Sequence, residues 1–262
     1  MTARGLRDFA GYIFDLDGTV YLGDALLPGA GAALASLRTA GKRLAYVSNK
    51  AIGAASDFAA KLNRLGVPAA VEEVINSAVA LRLFLSAERP GARVFVIGEE
   101  PVRAELRAGG FVLTDEPAEA EVVAVSWDRQ VDYARLNLAL DALRRGAFFV
   151  ATNPDVTCPM PGGCEWLDAG SFVALLEAAS GRAVEAVAGK PSPLMLEVIL
   201  RQWNLTAPEC LFVGDRLDTD MELGRRAGVP TALVLTGVTT RAMLRDCPQS
   251  PDFILESIAE LG

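Results

Sequence analysis

A chain of 262 residues that is 51% apolar and 22% charged can bury a substantial core, as one large domain or two modest ones. A formal net charge of −8 argues against broad binding to nucleic acid or to anionic membranes. The chain has no histidine, which excludes Ser-His-Asp and Cys-His catalysis, histidine zinc sites and an imidazole base.

What chemistry remains must run on carboxylates, Lys, Ser/Thr, Tyr or a hard cation held by oxygen. No long apolar run precedes Asp15 and no stretch approaches 18 uncharged apolar residues. The sequence therefore predicts neither a signal peptide nor a transmembrane helix, and a soluble, cytoplasmic protein.

The first element is the run Tyr12-Ile13-Phe14-Asp15-Leu16-Asp17-Gly18-Thr19-Val20. It reads as a buried strand ending in two carboxylates one residue apart, then a glycine that permits a sharp turn. Two close carboxylates stay ionised only where a cation or a donor compensates them, so either a metal sits here or one Asp keeps its proton.

Strand and helix patterns then alternate to the end. Gly29 to Ala40 predicts an alanine-rich helix, Arg43 to Asn49 a strand, and Ala54 to Leu65 a helix closed by Gly66. The middle predicts helix 77–85, strand 94–97, helix 102–108, strands 111–113 and 122–125, helix 132–145, strand 148–151, the loop Thr152–Asp168 and helix 171–179. The last third predicts helix 192–203, strand 211–213, helix 219–227 and strand 231–235, then a short helix and Phe253. This order implies a parallel, doubly wound α/β sheet, with the middle forming a second α/β unit with its own core.

The cysteines Cys158, Cys164, Cys210 and Cys247 are too few for a disulfide scaffold and lack CxxC spacing. Cys210 opens an apolar strand pattern and reads as core. Cys158 and Cys164 share one loop, where a disulfide is compatible with the spacing and reduced thiols are favoured in a cytoplasm.

Four strand ends carry reactive groups: Asp15 with Asp17, Ser48 with Asn49, Lys190, and Asp215 with Asp220. In a parallel sheet these all open on one edge. Taken singly, each is an ordinary cap or turn residue. Together they match the needs of phosphoryl transfer, where charge must be positioned and neutralised.

Mg²⁺ on Asp15 and Asp215 would draw nucleophile and phosphate together, and Asp15 would attack to form an aspartyl-phosphate. Asp17 would protonate the leaving alkoxide and then take a proton from water. The Ser48 hydroxyl and the Asn49 N–H would bind phosphate oxygens, Lys190 would neutralise them, and Asp220 would support the metal from behind.

These residues resemble the haloacid dehalogenase (HAD) superfamily. Asp15-Leu-Asp-Gly-Thr-Val is similar to its first motif, Ser48 to its second, Lys190 to its third and Gly214-Asp215-Arg-Leu-Asp-Thr-Asp220 to its fourth. The resemblance implies that Asp17 meets Mg²⁺ through its backbone carbonyl, leaving its carboxylate free.

Only 33 positions separate Asp15 from Ser48, whereas 142 separate Ser48 from Lys190, so the extra unit reads as a cap inserted between the second and third motifs. That pattern resembles class IIA, the group of NagD nucleotidases, p-nitrophenyl phosphatases and pyridoxal-phosphate phosphatases. It implies a Rossmann-like core over 1–76 and 186–262 and an α/β cap over 77–185. It also implies a Mg²⁺-dependent phosphatase of small phosphomonoesters and allows a homodimer. The alternative is a phospho-receiver or regulatory binding protein on the same type of fold.

Ser48-Asn49-Lys50 departs from the Thr-Asn-Asn of many members. Lys50 either adds a cation near the phosphate or points to solvent. A cap histidine that some pyridoxal-phosphate phosphatases place against the ring is missing, which weighs against that substrate. The loop Thr152–Asp168, with Asp155, Cys158, Met160, Cys164, Glu165 and Trp166, is either the specificity element or a loop packed on its own unit, and Gly162-Gly163 gives it mobility.

Overall fold

The computed structural model describes residues 5–160, 163–246 and 250–262. Cys247 and Gly162 therefore lie outside the described residues.

From the N-terminus the elements are β1 (Gly11–Asp15), the short pair β2 (Tyr21–Leu22) and β3 (Ala25–Leu26), α1 (Ala30–Thr39), β4 (Arg43–Ser48), α2 (Ala55–Arg64) and β5 (Val74–Asn76). Then come α3 (Ser77–Glu88), β6 (Arg93–Ile97), α4 (Glu100–Ala108), β7 (Val112–Leu113), β8 (Val122–Val125), α5 (Tyr133–Arg144) and β9 (Phe148–Ala151). After these follow β10 (Thr157–Pro159), β11 (Glu165–Leu167), α6 (Ala169–Ser180) and β12 (Ala186–Val187). The chain closes with α7 (Leu194–Trp203), β13 (Cys210–Gly214), α8 (Glu222–Ala227), β14 (Thr231–Val234) and β15 (Phe253–Leu255).

The chain divides into two compact units. The first holds the described residues up to Ser48, Ala55–Ile75 and Pro191–Gly262; the second holds Asn49–Ala54 and Asn76–Lys190. The sequence boundaries expected at 76/77 and 185/186 assign 49–54, Asn76 and 186–190 to the first unit, whereas here they group with the second. The reason is local. β12 pairs with β9, and Asn49 is hydrogen-bonded to Lys190 and Ser77.

The first unit carries a six-stranded sheet in the order β15-β14-β13-β1-β4-β5. β1 lies parallel between β13 and β4. Every residue of β1 and β13 is buried, as expected for strands covered on both faces, which is why these segments read as continuous apolar runs. Cys210, at the start of β13, is fully buried core.

The second unit carries a five-stranded parallel sheet in the order β12-β9-β8-β6-β7. Its core packs Phe95, Ile97, Val123, Val125 and Phe149 against Ala139, Leu143, Phe172 and Leu176 of α5 and α6. Each large apolar side chain so buried contributes about 1.5–3 kcal/mol relative to exposure.

β7 is only two residues long, so the upper part of the β6 edge has no strand beside it. Two guanidinium groups stand there instead. The Val96 carbonyl accepts from Arg103 Nη2 (2.9 Å), Arg135 Nε (2.9 Å) and Arg135 Nη2 (2.7 Å), and the Gly98 carbonyl accepts from Arg103 Nε (2.8 Å).

Several elements differ from the sequence expectation. The segment 152–168 is not all loop: β10 and β11 form an antiparallel hairpin. Its register sets Cys158 opposite Trp166 and puts Met160 and Cys164 on the same hairpin face, a diagonal arrangement too wide for a Cys158–Cys164 disulfide. Cys158, Cys164 and Cys210 are all reduced cysteines. The helix expected from Thr219 begins instead with one π-helical turn, Leu217–Met221, and becomes α-helical at Glu222. Helix α7 starts at Leu194 because two prolines, Pro191 and Pro193, precede it. Among the described residues no helix is long and apolar enough to cross a membrane.

Candidate active site

In an open α/β sheet ligands bind beyond the carboxyl ends of the strands, where the strand order reverses. In the first unit that point is β1, which has β4 and β5 on one side and β13, β14 and β15 on the other. The register pairs Phe14 with Val213, so Asp15 at the end of β1 comes level with Gly214-Asp215 at the end of β13. Carboxylate oxygens of Asp15, Asp215 and Asp220 lie within 4.8 Å of one another, and all three residues are buried.

The π-helical turn is what returns Asp220 to this point. Asp220 N and Met221 N both donate to the Arg216 carbonyl (3.1 Å each), and the widened turn folds the Asp220 carboxylate back over the strand end. There Asp220 Oδ2 accepts the N–H groups of Asp215 (3.1 Å) and Arg216 (3.1 Å). Asp215 Oδ2 in turn accepts Val238 N–H (2.6 Å).

Three glycines make room for these carboxylates. A Cβ on Gly237 would stand 1.9 Å from Asp215 Oδ2, one on Gly18 2.7 Å from the same atom, and one on Gly214 2.6 Å from Asp220 Oδ2. Gly18 also has φ +83°, the left-handed region that glycine adopts without strain. Thr236 Oγ1 fastens this turn by donating to the Gly18 carbonyl (2.6 Å).

Three buried carboxylates at such range repel one another strongly unless a cation balances them. An all-oxygen set of this kind fits a hard divalent ion. Among the described residues it is the only group of three such side chains so placed.

Asp17 is half-exposed in the turn closed by Val20 N–H and Tyr21 N–H on the Leu16 carbonyl (2.9 and 3.2 Å), and its carboxylate is not one of the three. Burial, then the negative charges of Asp17 and Asp15, push the Tyr21 phenol far above its ordinary pKa. The Lys61 ammonium lies 3.9 Å from the centre of the Tyr21 ring. Ser48 is buried at the end of β4, one residue beyond Val47, which is level with Asp15 on the adjacent strand.

The other expected residues, Asn49, Lys50 and Lys190, belong to the second unit. Lys190 is buried, 4% exposed, and Asn49 grips its main chain: Asn49 Oδ1 accepts Lys190 N–H (2.8 Å) and Nδ2 donates to the Lys190 carbonyl (3.2 Å). Asn49 Nδ2 also donates to Asp155 Oδ2 (2.9 Å). Ser77 Oγ (2.5 Å) and Asn153 Nδ2 (2.9 Å) donate to the Asn49 carbonyl. Lys50 is half-exposed, close enough to Asp168 for its charge to act on that carboxyl. Asp168 caps α6, accepting Ala169 N–H at 2.6 Å. Burial pushes its pKa up to about 6, with the Asp155 charge adding to the rise and the Ala169 N–H, Asn153 and Lys50 opposing it.

Sequence reasoning brought Asn49 to the site for its backbone N–H and did not see its side-chain role, nor those of Ser77 and Asn153. Their partners lie 28 to 141 positions away, which no local pattern reveals.

Two family models match the chain: haloacid dehalogenase-like hydrolase over residues 12–112 and HAD-hydrolase-like over residues 187–261. The chain is 33% identical over 252 residues to the sugar-phosphatase AraL of Bacillus subtilis, covering 96% of this chain and 92% of that protein. The crystal structure of a 4-nitrophenylphosphatase from Thermotoga maritima superposes with a TM-score of 0.93 at 36% identity, covering 98% of this chain and 97% of the other. A glycerol phosphate phosphatase from Mycobacterium tuberculosis, in complex with magnesium, superposes with a TM-score of 0.90 at 33% identity, covering 98% of this chain and 77% of that one.

Proposed function

Because this chain belongs to the haloacid dehalogenase-like hydrolases, class IIA, and is a phosphoric monoester hydrolase, we propose that it cleaves small phosphomonoesters through a phosphorylated Asp15. Sugar phosphates, glycerol phosphate and p-nitrophenyl phosphate are the substrate types that the relatives' names support. The observation that carries the reading is the position of Asp15, at the strand-order reversal with Asp215 and Asp220 oxygens within 4.8 Å.

An Asp15 carboxylate oxygen attacks phosphorus, and the bond to the ester oxygen breaks. Asp17 gives its proton to the departing alkoxide. Water then attacks the aspartyl-phosphate while Asp17 takes its proton, which releases phosphate and restores both residues. Ser48 Oγ and Asn49 N–H donate to the phosphoryl oxygens, while Lys190, with Lys50, neutralises their charge. Asp15, the Asp17 backbone carbonyl and Asp215 would hold Mg²⁺, with Asp220 fixing Asp215 from behind; when bound, the cation supplies neutralisation of the acidic cluster and the phosphate.

The second unit serves as the cap. Its β10–β11 hairpin, with Trp166 45% exposed and Cys164 exposed on the same face, selects the leaving group. A cytoplasmic protein acting on small metabolites, with no nucleic-acid or membrane partner and with a homodimer allowed, completes the reading.

The test is steady-state phosphate release from a panel of phosphomonoesters, with Mg²⁺ and then EDTA, beside Asp17→Asn. Release should need the metal, and Asp17→Asn should slow alkoxide leaving groups far more than nitrophenolate. Equal losses for both leaving groups would remove Asp17 as the acid, and a stable stoichiometric phospho-protein without turnover would point to a receiver.

A further inference from the structure

We propose that Asn49 is the positioning residue for Lys190, and that Asp155 locks Asn49 in that role from the segment after β9. The proposal rests on Lys190 as a phosphate-binding residue and concerns what aims it.

The carboxamide of Asn49 takes both main-chain groups of Lys190, accepting its N–H at 2.8 Å and donating to its carbonyl at 3.2 Å. This is the pairing a neighbouring strand's peptide would offer, supplied here by one side chain. The third bond, to Asp155 Oδ2 at 2.9 Å, ends on a carboxylate, a stronger acceptor than an amide carbonyl. The Asn49 main chain is itself pinned, since Ser77 Oγ and Asn153 Nδ2 both donate to its carbonyl.

Gly189 is the second, independent sign of a built contact. A Cβ there would stand 2.7 Å from Asn49 Oδ1 and 2.4 Å from the Thr152 carbonyl, so only glycine lets the chain before Lys190 come this close. The chemistry is specific to asparagine. Aspartate has the shape but no donor, and would set a second carboxylate against Asp155; glutamine adds a methylene the contact does not hold. The buried Lys190, 4% exposed, sits where its main chain carries it, and Asn49 holds that main chain.

The test is residue-resolved acylation of the full-length protein with an amine-reactive reagent, read by mass spectrometry with and without orthophosphate. Lys42 and Lys61 act as internal controls. In Asn49→Asp the Lys190 rate should rise about tenfold, the scale of one lost hydrogen bond, with Lys42 and Lys61 unchanged. Asp155→Ala should raise it less, and Asp155→Asn, whose amide oxygen still accepts, should stay near wild type. An unchanged Lys190 rate in Asn49→Asp, or an equal rise at all three lysines, overturns the tether. Orthophosphate that fails to shield Lys190 in the wild type strikes the phosphate-binding role itself, a separate outcome from the labelling rates.

Discussion

The two sheets share a design and differ in what stands at their strand-order reversals. In the first unit the reversal at β1 and β13 gathers three buried acids at close range. In the second it falls between β6 and β8, and there the polar groups are taken up by one another. Asp128 Oδ2 accepts Gly98 N–H (3.1 Å) and its Oδ1 accepts Gln130 N–H (2.9 Å). Glu99 holds Arg129 in a bidentate pair (2.6 and 2.6 Å), and Ser126 Oγ accepts from Thr152 Oγ1 (3.1 Å). Topology supplies a crevice in both; the residues at the strand ends decide whether it becomes a reaction site or a sealed end of a core.

Five changes test that contrast. The largest effect is expected for Asp15→Asn, which should lower kcat by about 10⁴-fold or more while the thermal midpoint stays near wild type, since shape is kept and only the nucleophile is lost. Turnover that survives would make the two reversals alike.

Glycine-to-alanine changes at the two reversals should then separate. In Gly237→Ala the new Cβ must displace the Asp215 carboxylate, costing about 10²-fold in kcat/KM. In Gly98→Ala the Cβ meets Val102 Cγ1 (2.6 Å) and Ser126 Cβ (3.1 Å), so the cost should be about 1–3 kcal/mol of stability in chemical denaturation, with kcat kept. A kinetic defect from Gly98→Ala would show that the second reversal takes part in the chemistry.

Asp128→Ala strips the acceptor from two main-chain N–H groups and should destabilise by about 1–2 kcal/mol, with kcat again unchanged.

The smallest effect is a slope. Asp168 has its pKa raised to about 6, mainly by burial, so in the folded chain it keeps a proton that the unfolded chain has released above about pH 4. The native state then binds more protons between about pH 4 and 6, and stability should fall as pH rises through that window and level off above it. Asp168→Asn still caps α6 and has no charge to bury, so its urea midpoints should lack that slope. Parallel slopes for both proteins would show Asp168 ionised in the native state.

Much of this molecule was legible in advance, for reasons that particular residues make plain. Asp15 and Asp215 stand where long apolar runs end, and a buried parallel strand writes itself as such a run. Asp220 was legible by its spacing from Asp215, although its route, through a π-helical turn, was not. The elements missed are short. β2, β3 and β12 have two residues each, and β5, β10 and β11 have three, too few to display a period. The Asn49 side chain was missed for another reason: its partners Asp155 and Lys190 are 106 and 141 positions away, and only folding makes them neighbours.

The two arginines over the β6 edge bear on how copies of this protein behave in a crowd. A bare strand edge offers its carbonyls to any extended chain that drifts alongside, and this is how sheets recruit one another into aggregates. Arg103 and Arg135 take up the Val96 and Gly98 carbonyls that such a chain would need. A protein whose second sheet ends in a two-residue strand thus closes its own margin with side chains.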